Sequence, residues 1–137
     1  MSAIAAMQEA LLSRLSHSTI AWPAYRVPVS VMTEPPYITF DLYSPGVDDT
    51  SVCGGTAVRH LTFAIKVWFR DGNLPEEDTA ITVAEAIQTR LEAWTGTQGS
   101  YTFVAIKAGE DEEKPFPTDP LPLMRAWVAY WRFEVMG

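Results

Sequence analysis

The apolar residues of the first sixteen positions recur at the spacing of an α-helix. Ile4, Met7, Leu11 and Leu15 fall three or four residues apart, and polar residues lie between them. Residues at this spacing share one face of a helix. The pattern predicts an amphipathic helix from Ser2 to about Ser16, whose apolar face needs a partner surface.

A second helix is predicted from Asn73 to about Trp94. Asn73 can cap its first turn together with Glu76, three residues later, and the acidic residues that follow suit the positive end of the helix dipole. The apolar stripe of this helix comprises Ala80, Ala84, Ile87, Leu91 and Trp94. Gly96 stands where a left-handed residue would end a helix at least cost.

Alternation of apolar and polar residues predicts the strands. Residues 37–43 alternate, and residues 61–69 alternate most clearly, so the second segment is expected to be central in a sheet. Two further strands are predicted at Tyr101–Ala108 and Leu123–Met136, and a weak edge strand at Tyr25–Met32, where Pro28 is tolerated. The segment Ser44–Thr56, rich in Gly, Pro and Asp, is predicted to be a long loop.

The order of these elements predicts one α+β domain over residues 1–137. We expect a mixed or antiparallel sheet of four to five strands with the two helices packed on one face. The final strand is apolar on both of its faces, so the face away from the helices also needs cover. A neighbouring subunit could supply that cover, or the sheet could curl on itself.

Composition and charge exclude several classes of function. With 17 acidic and 10 basic residues the formal charge is −7, which repels phosphate backbones and disfavours tight binding of DNA or RNA. No apolar run approaches the roughly 18 residues of a membrane span, and we expect no secretory leader. Cys53 is the only cysteine, which fits a reducing compartment. We therefore expect a protein that is made in the cytoplasm and does not enter a membrane.

The candidate chemical motifs are weak. The two histidines, His17 and His60, have no nucleophile motif and no metal-ligand spacing around them. Residues 52–56 contain two glycines, but no Gly-Lys-Ser/Thr follows, so a flexible hinge is favoured over a phosphate-binding turn. The acidic run Glu110–Glu113 lacks the spacing of a cation-binding loop and is interpreted as a solvated loop. The sequence therefore predicts no enzyme activity, no cofactor and no metal site.

Tryptophan is frequent, and indole rings anchor interfaces as well as cores. Trp94 and Trp127 are expected in the core. Trp68 lies on the less apolar face of its strand, beside Lys66, and is the aromatic interface candidate. The acidic segments supply the other interface candidates, which are Asp48, Asp49, Glu110, Asp111, Glu112 and Glu113.

Several segments also follow one another in a distinctive order. A helix with Met7-Gln-Glu-Ala-Leu-Leu12 precedes Pro36-Tyr37-Ile38 at the start of a strand, and a long Gly-containing loop comes next. The segment 59–69, a short turn and a helix from Ala80 to Leu91 complete the series. Over about residues 3 to 95 this order resembles the tail terminator, or tail-completion, proteins of long-tailed bacteriophages, whereas residues 114–131 match no motif of that family.

The resemblance implies an α+β subunit that assembles into a hexameric ring on the last layer of the tail tube. Such a ring would stop polymerisation of the tube protein and offer the neck proteins a head–tail joining surface in the virion. Asp48 and Asp49, or Glu110–Glu113, would let DNA slide past if they faced the channel. Alternatives are a head-completion or neck adaptor protein and, in another class, a small ligand-binding or enzyme domain with a pocket between helices and sheet.

Overall fold

The computed structural model describes residues 2–27, 34–53, 56–109, 112–116 and 124–137, with side chains described at 2–27, 34–43, 58–109 and 124–137. The elements in chain order are α1 (Ala3–Leu15), β1 (Ala24–Arg26), β2 (Tyr37–Cys53), β3 (Thr56–Arg70), α2 (Leu74–Leu91), β4 (Thr95–Gln98), β5 (Tyr101–Lys107), β6 (Glu112–Phe116) and β7 (Met124–Met136).

One mixed sheet contains all seven strands of the described residues. Its order is β1-β2-β3-β7-β5-β4, and β6 pairs with β7. The pairing of β1 with β2 is parallel, and every other pairing is antiparallel. Two helices and a mixed sheet confirm the predicted α+β class.

The predicted number of four to five strands was wrong because two strands lack an alternating pattern. Strand β4 has only four residues, and Gly96 is one of them. Strand β6 contains Glu112 and Glu113, which we interpreted as a solvated loop, and Pro115. β6 pairs only with β7 in the described part of the chain, and a proline is tolerated in a strand that pairs on one side.

The predicted loop Ser44–Thr56 was also wrong, since most of it belongs to a long hairpin. β2 continues to Cys53, β3 begins at Thr56, and Thr50 pairs with Arg59. The register shifts between Leu42 and Val47 and again between Val47 and Thr50. Proline and glycine at residues 45 and 46 fall in the first irregularity, where an interrupted ladder accommodates residues that weaken a regular strand.

Both helices begin at the predicted residues. The Ser2 hydroxyl accepts from the Ala5 N–H, and the Asn73 side chain accepts from the Glu76 N–H, so each helix has a side-chain cap. The predicted left-handed end at Gly96 was wrong: Ala93 has the positive φ of 57°, and Gly96 lies in β4. A Cβ at Gly96 would come 2.9 Å from Phe103 Cζ, so glycine serves close packing there.

The sheet curves around α1, so the predicted packing of two helices on one face is matched only in part. Helix α2 lies against β3 and β7, whereas α1 contacts β1 and β4, at opposite ends of the strand order. Consecutive α1 residues reach both ends: Gln8 Oε1 accepts from Arg26 at 3.4 Å, and Glu9 Oε2 accepts from Gln98 at 3.2 Å. Five strand spacings would separate these strands by about 24 Å in a flat sheet. The sheet must therefore be strongly curved.

One core fills the space between the helices and the concave side of the sheet. It contains most of the buried residues of both helices together with the odd-numbered residues of β3 and β7. Phe133 lies at its centre, paired with Leu61 on one side and Ala105 on the other. Among the described residues, no helix has both the length and the hydropathy to cross a bilayer.

Candidate interaction surface

The side of the sheet away from the helices forms a second face, here called the outer face. Strand alternation places on it the odd-numbered residues of β2 up to Tyr43 and the even-numbered residues of β3 and β7. No helix residue joins the small buried cluster of this face, which comprises Ala64, Ala126 and Val128. Within the described part of the chain, the outer face thus has a buried floor of small side chains and no helix over it.

Trp68 lies on the outer face, and its indole is held in place. Its Nε1 donates to the Thr39 hydroxyl at 2.8 Å, and the Thr39 side chain is buried. The Tyr37 ring lies 6.3 Å from the Trp68 ring, and Lys66 Nζ lies 6.0 Å from its centroid. A fixed, half-buried indole has little rotamer freedom left to lose on binding, which suits an interface anchor.

Tyrosines extend the aromatic surface across the sheet. Tyr25 and Tyr37 pack edge to face at 6.1 Å, and Tyr43 packs against Tyr130 at 4.8 Å. Tyr130 and Trp68 both rest on the small-residue floor. The outer face thus carries two aromatic groups that border this floor, Tyr25–Tyr37–Trp68 and Tyr43–Tyr130.

Charges of both signs lie on the same face. Glu134 Oε1 is 3.7 Å from His60 Nε2 and 3.8 Å from Arg132 Nη2. Asp41 Oδ1 and Arg132 Nε are shielded from water and have no hydrogen-bond partner among the described residues. Mixed charge of this kind suits a protein partner better than a polyanion.

The histidines do not combine into a recognisable reaction centre. His60 faces Glu134, and His17 Nδ1 lies 2.9 Å from the Thr19 hydroxyl. In the described part of the chain, no group of three His, Cys, Asp or Glu side chains could hold a metal ion. The cavity between α2 and the sheet, next to Trp127 and Trp131, measures about 10 Å³, which is close to the size of one water molecule.

The other predicted interface residues can be placed only through their backbone. Asp48 and Asp49 lie in β2, and Glu112 and Glu113 lie in β6 opposite Val128 and Trp127. Glu110 and Asp111 fall outside the described residues. The aromatic partners Tyr37, Tyr43 and Tyr130 were missed, although their outward positions in alternating strands were a usable signal.

Tyr37 gives the outer face a measurable pH dependence. Burial raises the pKa of its phenol above the ordinary value of 10.0. The stability that this group contributes is therefore complete below pH 10 and is lost as pH rises through the higher folded-state pKa. Between about pH 8 and pH 11 we expect wild-type protein to lose more stability than Tyr37→Phe, as measured by urea unfolding. Equal losses in the two proteins would contradict this.

Comparison with known proteins gives no family assignment. A scan against protein-family models finds no match, and a search of curated proteins finds no related sequence. The outer face and the curvature of the sheet are therefore the structural basis for a functional proposal.

Proposed function

We propose that this protein is a non-enzymatic structural subunit of a long-tailed phage that assembles into a hexameric ring on the end of the tail tube. In this role it would end tube polymerisation, bind the tube protein and present a joining surface to the neck proteins. It would act in the virion at the head–tail junction. The proposal is supported by the segment order that resembles tail terminators and by the character of the outer face.

The outer face is the observation that carries the proposal. It presents four tyrosines and a fixed tryptophan over small buried residues, with no helix over it in the described structure. Aromatic residues are enriched at protein interfaces, and this face exposes Tyr25 and Tyr43 beside the half-buried Tyr37, Trp68 and Tyr130, which makes it a candidate docking site. Charges of both signs can be met by a second copy of the same chain, since a copy supplies the same two signs.

The net charge of −7 supports a passive role toward DNA. A ring around the tail channel must let DNA pass, and anionic side chains at the lining repel phosphates within a Debye length of about 8 Å at physiological salt. In the proposed ring, Asp48 and Asp49 of the long β2–β3 hairpin face the channel. DNA then passes without sequence-specific contacts.

The test is a charge introduced on the outer face. Tyr43 is 43% exposed there, and Ile81 is 44% exposed on α2, so Tyr43→Asp and Ile81→Asp introduce the same carboxylate at matched exposure. We expect rings of wild type and Ile81→Asp by electron microscopy, and monomers of Tyr43→Asp with unchanged circular dichroism. Rings of Tyr43→Asp would exclude the outer face as the interface.

The partner is tested with isolated tail tubes and with neck proteins. We expect wild-type protein to bind tube ends and to stop addition of tube subunits, and Tyr43→Asp to do neither. Wild-type protein that stays monomeric in the presence of tube ends would overturn the proposal. Binding to neck proteins with none to tubes would favour the adaptor role.

A further inference from the structure

A groove of about 230 Å³ lies between α1, the end of α2 and strand β4. Its polar lining comes from Ser13 and Arg14 of α1, Arg90 of α2, and Thr97 and Gln98 of β4. The Trp94 ring lies beside them. This groove is separate from the outer face, because α1 and α2 pack on the concave side of the sheet.

The two arginines hold each other in place. Arg14 Nε donates to the Arg90 carbonyl at 2.9 Å, and Arg90 Nε donates to the Arg14 carbonyl at 3.3 Å. Each arginine lies in the last turn of its helix, where the carbonyls lack helical partners and the dipole favours a cation. These bonds use only the Nε atoms, so the terminal Nη groups of both guanidiniums remain for other acceptors.

The arginine pair carries positive charge that no described carboxylate neutralises. Neither Arg14 nor Arg90 has an acidic side chain within 4.0 Å in the described residues. Arg14 instead lies over the Trp94 ring, 5.0 Å from its centroid. Burial and the nearby Arg90 charge lower the pKa of Arg14, so the two cations oppose each other in a half-buried position. An anion between them would relieve that repulsion.

Strand β4 supplies backbone groups beside the arginines. β4 is the last strand in the sheet order, so one of its edges has no strand partner among the described residues. The Ala105 N–H donates to the Trp94 carbonyl at 2.9 Å, and antiparallel bonding then alternates along the strand. The N–H and C=O of Thr95 and Thr97 therefore point away from β5, toward the open edge. An extended segment could pair with them and place a side chain in the groove.

We infer that this groove receives strand β6 of a second copy, with one carboxylate of its Glu112–Glu113 pair bound between Arg14 and Arg90, because consecutive residues of a strand project to opposite faces. β6 pairs only with β7 in the described structure, so it too has an unpaired edge. It carries part of the longest acidic run in the sequence, Glu110–Glu113. Guanidinium groups bind carboxylates through paired hydrogen bonds, which gives the contact both strength and direction.

This contact is heterologous, because a groove on one copy meets a strand on the next. Head-to-tail contacts generate closed rings when the rotation between copies closes. The inference rests on the proposed ring, because the acidic strand comes from the neighbouring copy in that ring. The chain as a whole carries −7, which disfavours a phosphate polymer as the ligand.

The groove is tested first with a peptide, without reference to rings. The probe is the synthetic octapeptide of residues 109–116, and its control has amides in place of the four carboxylates. We expect the acidic peptide to shift the NMR signals of the Arg14 and Arg90 Nε groups and of the Trp94 indole, and the amide peptide not to. Equal shifts with both peptides, or shifts with inorganic phosphate alone, would overturn the assignment.

The blocking variant leaves both arginines in place. Ser13→Glu introduces a tethered carboxylate into the groove, and Thr82→Glu adds the same charge on an exposed part of α2 that does not line it. We expect Ser13→Glu to weaken peptide binding at least about tenfold and Thr82→Glu to leave it near the wild-type value. Wild-type affinity in Ser13→Glu would exclude the groove as the site, and because neither change touches an arginine, loss of the helix caps cannot explain the result.

Mixing two defective variants tests the head-to-tail contact. One variant is Ser13→Glu, and the other carries Glu110→Gln, Asp111→Asn, Glu112→Gln and Glu113→Gln. Ring assembly requires this contact as well as the outer face, so each variant alone is expected to stay monomeric, whereas an equimolar mixture should form dimers that stop there, as measured by sedimentation velocity. Rings of either variant alone would overturn the inference. If the peptide binds but the wild-type protein forms no rings, the groove assignment stands and the proposed ring is overturned.

Discussion

Phe133→Ala is expected to destabilise the protein by about 3–5 kcal/mol, the largest loss among the substitutions considered. The Phe133 side chain is fully buried. Its ring lies 5.9 Å from Phe63, 5.9 Å from Trp94 and 6.3 Å from Phe103, in edge-to-face geometry in each case. Alanine removes these contacts and leaves a cavity that neighbouring strands cannot close, because each is fixed by its own ladder.

The measurement is urea unfolding followed by tryptophan fluorescence. Leu74→Ala is the control, because Leu74 is a large apolar residue that is 67% exposed. The loss of unfolding free energy in Leu74→Ala should stay within about 0.5 kcal/mol, the range of surface substitutions. A similar loss in the two variants would show that Phe133 is not at the centre of the core.

Much of this core could be predicted from sequence, since a regular pattern marks every element that buries one face. Helices α1 and α2 and strands β5 and β7 lie close to their predicted bounds, whereas β3 begins five residues before the predicted segment 61–69. Each is long enough for its period to be visible, and each contributes to one cluster. The outward position of Trp68 followed from the same alternation.

The remaining strands could not be predicted because the backbone, not the side-chain pattern, specifies them. β4 and β6 are short, and they are ordered through their pairing with β5 and β7. The hairpin arm of β2 contains proline, glycine and paired acids that are typical of loops, yet pairing with β3 continues past two irregularities. Residue composition describes local preference, and a neighbouring strand can override it.

The arginine groove illustrates a different limit. Arg14 and Arg90 are 76 residues apart, so no local motif connects them. In sequence each is one basic residue near the end of a helix, where it suits the helix dipole. Only the packing of α1 beside α2 brings the two guanidiniums together. A site made by tertiary contacts of this kind leaves no spacing for sequence analysis to detect.

Glu76→Ala is expected to cause the second largest loss, about 2–3 kcal/mol. Glu76 Oε2 accepts from Arg70 Nη1 at 2.6 Å and from Asn73 Nδ2 at 2.8 Å, and its Oε1 accepts from the Arg70 N–H at 3.0 Å. The side chain is only 13% exposed, so water competes weakly for these donors. The carboxylate therefore joins the end of β3 to the start of α2.

Glu77→Ala is the matched control, because it removes the same charge one residue later in the same first turn. The Glu77 side chain makes no hydrogen bond or ion pair with the described residues, so only the helix-dipole contribution, about 0.3–1 kcal/mol, should be lost. Glu76→Gln keeps the shape, but its amide cannot accept from all three donors, and its loss should approach that of Glu76→Ala. Urea unfolding at pH 7 measures the three variants. Equal losses for Glu76→Ala and Glu77→Ala would mean that the dipole, and not the connection to Arg70 and Asn73, accounts for the role of Glu76.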